Sequence, residues 1–209
     1  MNMNRTLKHA PSLSEAFKNR MNKILVDVQI SEKEAKQIIS YFKLVTLEKD
    51  EVFCKKGQVN IKLGILLSGL MYATYETKKK SDEVSRFFYP PENFIVTDFE
   101  SFKKSTSANE TIIVIEKSEL LVINYVDMKK LYKTVPKMNY IARELAELNY
   151  IRAMHRIYDL QVLNAEERVK NFFRDHPSFY NRVGKQEISS YLGMNRNLIS
   201  KYFKPEKKI

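Results

Sequence analysis

Residues 183–204 read VGKQEISSYLGMNRNLISKYFK, and this stretch sets the expectation for the whole chain. The pattern predicts two short helices joined by a tight turn. The first covers about Lys185 to Leu192, with Gly184 at its N-cap and Glu187 three residues on. That is capping-box spacing, although a glycine offers no side-chain oxygen to complete it. Gly193 supplies the turn, since it tolerates the left-handed backbone that ends a helix. Asn195 can then cap a second helix beginning at Arg196.

The second helix has two unlike sides. Ile199, Tyr202 and Phe203 share one side and can pack on Ile188, Tyr191 and Leu192. Arg196, Asn197, Ser200, Lys201 and Lys204 form the opposite stripe, which carries no acidic residue. Such donors suit base edges and phosphates: Arg can bridge a guanine in bidentate fashion, and Asn an adenine. In a helix-turn-helix the second helix enters the major groove with its first residues against the bases. A polar face on a helical hairpin is by itself commonplace. The turn glycine, two apolar faces and a basic helix start together favour double-stranded DNA as the partner. The candidate DNA-binding residues are Lys185, Asn195, Arg196, Asn197, Ser200, Lys201 and Lys204.

The chain has 209 residues, 44% of them apolar, enough for a proper core in one large or two small domains. Its formal charge is +11, which favours a polyanionic partner. From His176 onward, seven basic residues face only Glu187 and Glu206, so almost half the excess sits at the C-terminal end. A single cysteine, Cys54, excludes an internal disulfide. The N-terminus lacks an apolar signal core and no run approaches a membrane span, so a cytoplasmic protein without membrane partners is expected.

Along the chain, Leu13 to Leu25 is amphipathic through Leu13, Phe17, Met21 and Ile24, and Ser31 with Glu34 caps a second helix ending near Tyr41. The period then changes. Alternation over 43–53, apolar runs over 61–67 and 70–75 around a turn at Ser68–Gly69, and runs over 84–89, 111–115 and 120–125 predict many short strands. Residues 77–81 read as a hairpin tip. Strands at such spacing argue a sandwich or barrel over about 40–126. A long helix follows from Pro136 to about Leu160, its apolar positions three or four apart from Met138 to Tyr158. Asn164 and Glu167 form a second capping signal, which leaves Gln161 to Leu163 as a hinge.

The C-terminal stretch resembles the recognition motif of the Crp/Fnr family of bacterial transcription factors. The resemblance is carried by Lys185-Gln186-Glu187-Ile188, Leu192-Gly193 and Arg196-Asn197-Leu198-Ile199-Ser200-Lys201. It implies base reading by Arg196, Asn197 and Lys201. Asn195 stands where the family has Ser or Thr. Asn197 stands where it most often has Glu, which implies a different preferred sequence. The strand region resembles the family's cyclic-nucleotide-binding β-roll through Phe42, Leu47, Lys49, Glu51, Phe53 and Gly57, through Leu66-Leu67-Ser68-Gly69, and through Leu120-Leu121-Val122-Ile123, Asp127 and Leu131.

The fold class expected is therefore α+β: an N-terminal cyclic-nucleotide-binding-like β-roll, or jelly-roll, over 1–135, a long connecting and dimerisation helix over 136–160, and a helix-turn-helix domain over 161–209. The resemblance implies a homodimer through the long helix, with Ile141, Leu145, Leu148 and Ile151 as seam residues. Two recognition helices would then sit one DNA turn apart on a palindromic site. It leaves RNA polymerase open as a further partner. Only five residues follow Lys204, so the two-stranded wing usual in the family is not expected.

At the effector pocket the likeness weakens. Nucleotide-binding members carry Gly-Glu at the start of a short helix and an Arg about ten residues later. Here Thr97 replaces the Gly, Asp98 replaces the Glu, and no Arg occurs between Arg86 and Arg143. A phosphate buried without a cation carries a heavy desolvation cost. Cyclic AMP in the usual mode is not expected, and no other cofactor is implied. Candidate pocket residues are Val96, Thr97, Asp98, Phe99, Ser107 and Asn109, with a pocket for another ligand or a mere scaffold both open.

Catalysis has little support. His9, His155 and His176 belong to no triad or metal motif, Asp98 and Glu100 read as helix-start residues, and Cys54 reads as strand packing. No catalytic or metal-binding residue is expected, and the chain is not expected to be an enzyme. The alternative to a DNA regulator is a small-molecule sensor acting through protein contacts.

Overall fold

The computed structural model describes residues 12–25, 28–76, 83–90 and 94–202. His9, the hairpin tip at 77–81, Phe203, Lys204 and the C-terminal residues beyond lie outside this set. Helix α1 (Leu13–Ile24) is capped by Ser12, whose hydroxyl accepts from the Glu15 N–H at 3.2 Å. Its inner side buries Phe17 and Met21. Helix α2 (Glu32–Ile39) starts with the full capping box read from Ser31 and Glu34. The Ser31 N–H donates to the Glu34 carboxylate at 2.8 Å. With the Ser31 hydroxyl and the Lys137 ammonium as further donors, that bond holds the Glu34 carboxyl down at about 2.

An antiparallel sheet follows, built from β1 (Lys43–Leu47), β2 (Val52–Cys54), β3 (Lys62–Glu76), β4 (Glu83–Tyr89), β5 (Ile95–Val96) and β6 (Thr111–Asn124). The main path runs β1-β6-β3-β4, with β2 also on β6 and β5 on β3. Helix α3 (Phe99–Lys104) lies between β5 and β6.

An expected turn and an expected gap between two strands both prove to lie inside long strands. Strand β3 runs unbroken through Ser68–Gly69, and β6 runs through 116–119. Their pairing register shifts around Leu66 to Met71, where Gly69 adopts φ +98°. A Cβ on Gly69 would lie 2.6 Å from the Lys117 carbonyl and collide with the Ser118 hydroxyl. The glycine thus permits a bulge and a close strand crossing rather than a reversal.

Helix α4 (Tyr125–Thr134), not foreseen in the sequence, is capped by Asn124, whose Oδ1 accepts from the Asp127 N–H at 2.8 Å. Helix α5 (Lys137–Val162) starts after Pro136 as expected, and extends through two of the three hinge residues to break at Leu163. Helix α6 (Ala165–Asp175) has the complete Asn164–Glu167 capping box. A four-residue turn of helix, α7 (Phe179–Arg182), precedes α8 (Lys185–Tyr191) and α9 (Arg196–Tyr202).

The apolar side chains form two clusters. The larger joins α1, α2, the sheet, α4 and the first half of α5. The smaller surrounds the C-terminal helices, yet Leu70 of β3 and Phe88 of β4 belong to it. Alternation along β4 separates neighbours: Phe87 packs on the larger cluster and Phe88 on the smaller. The architecture is α+β, a β-roll flanked by helices with a helical C-terminal unit seated on its edge.

Candidate nucleic-acid interface

Ile199 anchors α9, with no exposed surface, in the cluster formed by Ile188, Leu192, Val169 and Phe172. Gly193, at φ +64°, makes the turn between α8 and α9. Asn195 Oδ1 then accepts from the Asn197 N–H at 2.9 Å, satisfying a donor that the first helical turn leaves free. Helix α8 starts at Gly184 without a side-chain cap. A side chain there would collide with the Glu187 carboxylate, which folds back over the glycine.

Burial of Ile199 turns Arg196, Asn197, Ser200 and Lys201 outward, and all four are exposed. Among the described residues, the side chains of Arg196 and Asn197 have no protein partner. Lys185 and Ser200 are joined instead, the ammonium donating to the hydroxyl at 2.9 Å and linking α8 to α9. Lys185, Asn195, Arg196, Asn197, Ser200 and Lys201 are thus all exposed on the helical pair, and Lys204 lies outside the described residues. The arrangement offers a guanidinium, an amide and an ammonium in open solvent on a rigid base, as groove recognition requires.

Three further residues fix this unit, and no motif or spacing in the sequence marks them. Phe88 meets Tyr191 at 5.1 Å, Phe179 at 5.5 Å and Phe172 at 6.3 Å between ring centroids. Tilted and edge-on rings of this kind add about 0.5–1.5 kcal/mol per pair beyond area burial. Arg156 on α5 stacks 3.6 Å over the Tyr191 ring and donates to the Tyr191 carbonyl. Arg182 forms a forked ion pair with Glu116 of β6. Arginines on amphipathic helices look like solvated residues in a sequence, and no periodicity singles these out.

Helix α5 presents two sides. Ile141 and Leu145, expected in a seam between subunits, are packed into the chain's own core, because the first half of the helix belongs to the cluster that joins α1, α2, α4 and the sheet. Leu148 is half-buried, and Ile151 is 49% exposed. Beyond it the exposed apolar surface continues through Met154, Ile157, Tyr158 and Val162. The uncovered stripe therefore lies further along the helix than expected.

Between the sheet and α5 lies a cavity of about 320 Å³. Of the expected pocket residues, Thr97 and Phe99 line it, whereas Val96, Asp98, Ser107 and Asn109 do not. Cys54 is buried nearby in the sheet, and burial, with the charges of Asp98 and Glu110 added, pushes its thiol up to about 12. It stays protonated, in keeping with a packing role. No metal-holding group of His, Cys, Asp and Glu occurs among the described residues, and no described helix is long and apolar enough to cross a membrane.

No protein-family model matches this chain, and no curated protein matches it in sequence. Solved structures do. The c-di-GMP-responsive global regulator CLP of Xanthomonas campestris matches with a TM-score of 0.64 at 15% identity, over 80% of this chain and 87% of that one. FixK2 of Bradyrhizobium japonicum gives 0.63 at 13% identity, over 77% and 82%. A Crp/Fnr-family transcriptional regulator of Eubacterium rectale gives 0.61 at 16% identity, over 83% and 82%. The fold is that of the Crp/Fnr regulators.

Within that Crp/Fnr fold, residues 97–109 stand where the sequence likeness puts the phosphate cradle, and the polar side chains of Thr97, Asp98 and Ser101 are engaged by the chain itself. The Asp98 carboxylate, buried, accepts from the Ser101 N–H at 3.0 Å and from the Asn109 N–H at 2.8 Å. Asp98 is thus the cap of α3 and a clasp across the segment. The Thr97 hydroxyl donates to the Lys62 carbonyl and accepts from the Asn60 amide, both at 2.9 Å. Ser107 lies in an isolated bridge with Val59.

Proposed function

We propose that this chain is a sequence-specific, double-stranded-DNA-binding transcriptional regulator that acts as a homodimer on a palindromic site. One observation carries the reading: Ile199 is fully buried while Arg196, Asn197 and Lys201 stand exposed on the opposite side of the same short helix. The Crp/Fnr-like fold of the chain and its charge of +11 support it. The apolar stripe of α5 from Ile151 to Val162 supports the homodimer, since a second copy would cover it. Arg196 and Asn197 would read base edges. Lys185 and Ser200, already joined, would act more as a brace than as readers.

Selection of bound duplexes from a random pool tests the proposal. A two-fold symmetric motif with half-site centres roughly 34–36 Å apart is expected. Affinity for it should fall steeply with salt, with a logarithmic slope near −0.9 for each phosphate neutralised. A pool that yields no motif, or affinity indifferent to salt, defeats the reading and leaves the helix pair as a surface for a protein partner.

A further inference from the structure

The cavity between the sheet and α5 has a chemistry of its own. Six of the described residues around it are aromatic: Phe17, Phe42, Phe87, Tyr89, Phe99 and Tyr132. Among the described residues no charged side chain lines it. Its volume, about 320 Å³, is roughly twice that of the ~150 Å³ apolar cavity known to admit benzene. Two neutral donors on its walls keep free capacity among the described residues. The Tyr132 hydroxyl has no protein partner there, and the Asn149 amide is engaged only through Oδ1, by Arg152 at 3.5 Å. Burial, with the neighbouring Tyr125 added, raises the Tyr132 phenol, so it remains a proton donor.

We infer that this cavity binds a small uncharged, largely apolar molecule of one or two rings that carries a neutral hydrogen-bonding group. Uncharged follows from the walls: an ion here would lose its water and meet no counter-charge. Largely apolar follows from the rings, each of which gains by covering ligand surface. The occupant is a small molecule rather than a partner helix because α1, the sheet and α5 of one chain wall the space. Ala142, Ala146 and Ala153 leave room on the helix side. The segment around Asp98 cannot supply anion binding, its carboxylate and Thr97 being occupied as described. The inference rests on reading the N-terminal part as a sensor, and the test below probes the cavity without DNA.

Titration of the full chain with N-phenyl-1-naphthylamine, a neutral fluorophore that brightens in apolar surroundings, should give a saturable rise with one site per chain. A neutral aryl alcohol such as 2-naphthol should displace it, and cyclic AMP should not. Ala142→Phe and, at a more exposed position on the same wall, Ala146→Phe should weaken dye binding about tenfold or more with an unchanged melting curve. Ile157→Ser, on the outer stripe, should leave it unchanged. Absence of a saturable rise overturns the inference, as do indifference to both phenylalanine variants and displacement by cyclic AMP. Dye binding that emerges only on dilution to monomer also overturns it, since the partner's helix would then be the occupant. A chain that binds dye in this way but no DNA keeps this inference and loses the proposed function.

Discussion

The outer face of α9 and the segment 97–109 look alike in the sequence: each sets polar residues around a short helix. Structure separates them by what their polar atoms already hold. In 97–109, both Asp98 oxygens accept backbone N–H groups, Thr97 bonds to Asn60 and Lys62, and Ser101 accepts from the Asn60 N–H at 2.8 Å. On α9, Arg196 and Asn197 extend side chains into solvent with no partner among the described residues. A polar group that closes the chain on itself is structural. One that stays open beside a rigid base is available for recognition.

This contrast can be broken by mutation. Asp98→Ala should have the largest effect, about 3 kcal/mol of stability, because two N–H donors lose a charged acceptor and α3 loses its cap. The urea midpoint reads it, and the preferred DNA sequence should not move. An Asp98→Ala chain as stable as wild type would erase the distinction between the two regions. Arg196→Ala should do the reverse, with stability held within about 0.5 kcal/mol and discrimination at one base pair falling by about 1–3 kcal/mol. Quantitative binding to single-base variants of the selected site measures the latter. Lys204→Ala should weaken all sequences alike and reduce the salt slope by about one.

The smallest effect is expected at Glu34, a carboxylate engaged like Asp98 but only half-buried. Its folded-state carboxyl sits at about 2, below the unfolded value. Its stabilisation is therefore present above the unfolded pKa of roughly 4.3 and lost as pH falls through about 2. Glu34→Gln should cost about 1 kcal/mol at neutral pH, discounted for exposure, and the gap to wild type should close on acidification toward pH 2. Acid titration of urea midpoints for the two chains checks the direction.

Local signals made much of this legible. The capping boxes at Ser31 and Asn164, the Gly193 turn and the inward Ile199 all follow from short-range chemistry, and all stand in the structure. What was misread depends on distant partners. A glycine between two apolar runs fits a turn or a bulge equally well, and Ser118, far along the chain, decides for a bulge at Gly69. Ile141 and Leu145 fit an intersubunit stripe equally well until the chain's own core is seen to take them in. Helix α4 had its signal in Asn124 and Asp127, masked by the apolar run of β6 leading into it. The exposed face of α9 was readable because it is local, whereas the cavity, assembled from many separate stretches of chain, was not.

Strand β4 carries Phe87 against the cavity and, one position on, Phe88 among the rings that seat α8. Wall and seat are consecutive links of a single backbone, so the cavity and the rings that steady α8 are one peptide bond apart. Were the proposed ligand to fill the cavity, a tilt of this one strand would be enough to reach α8.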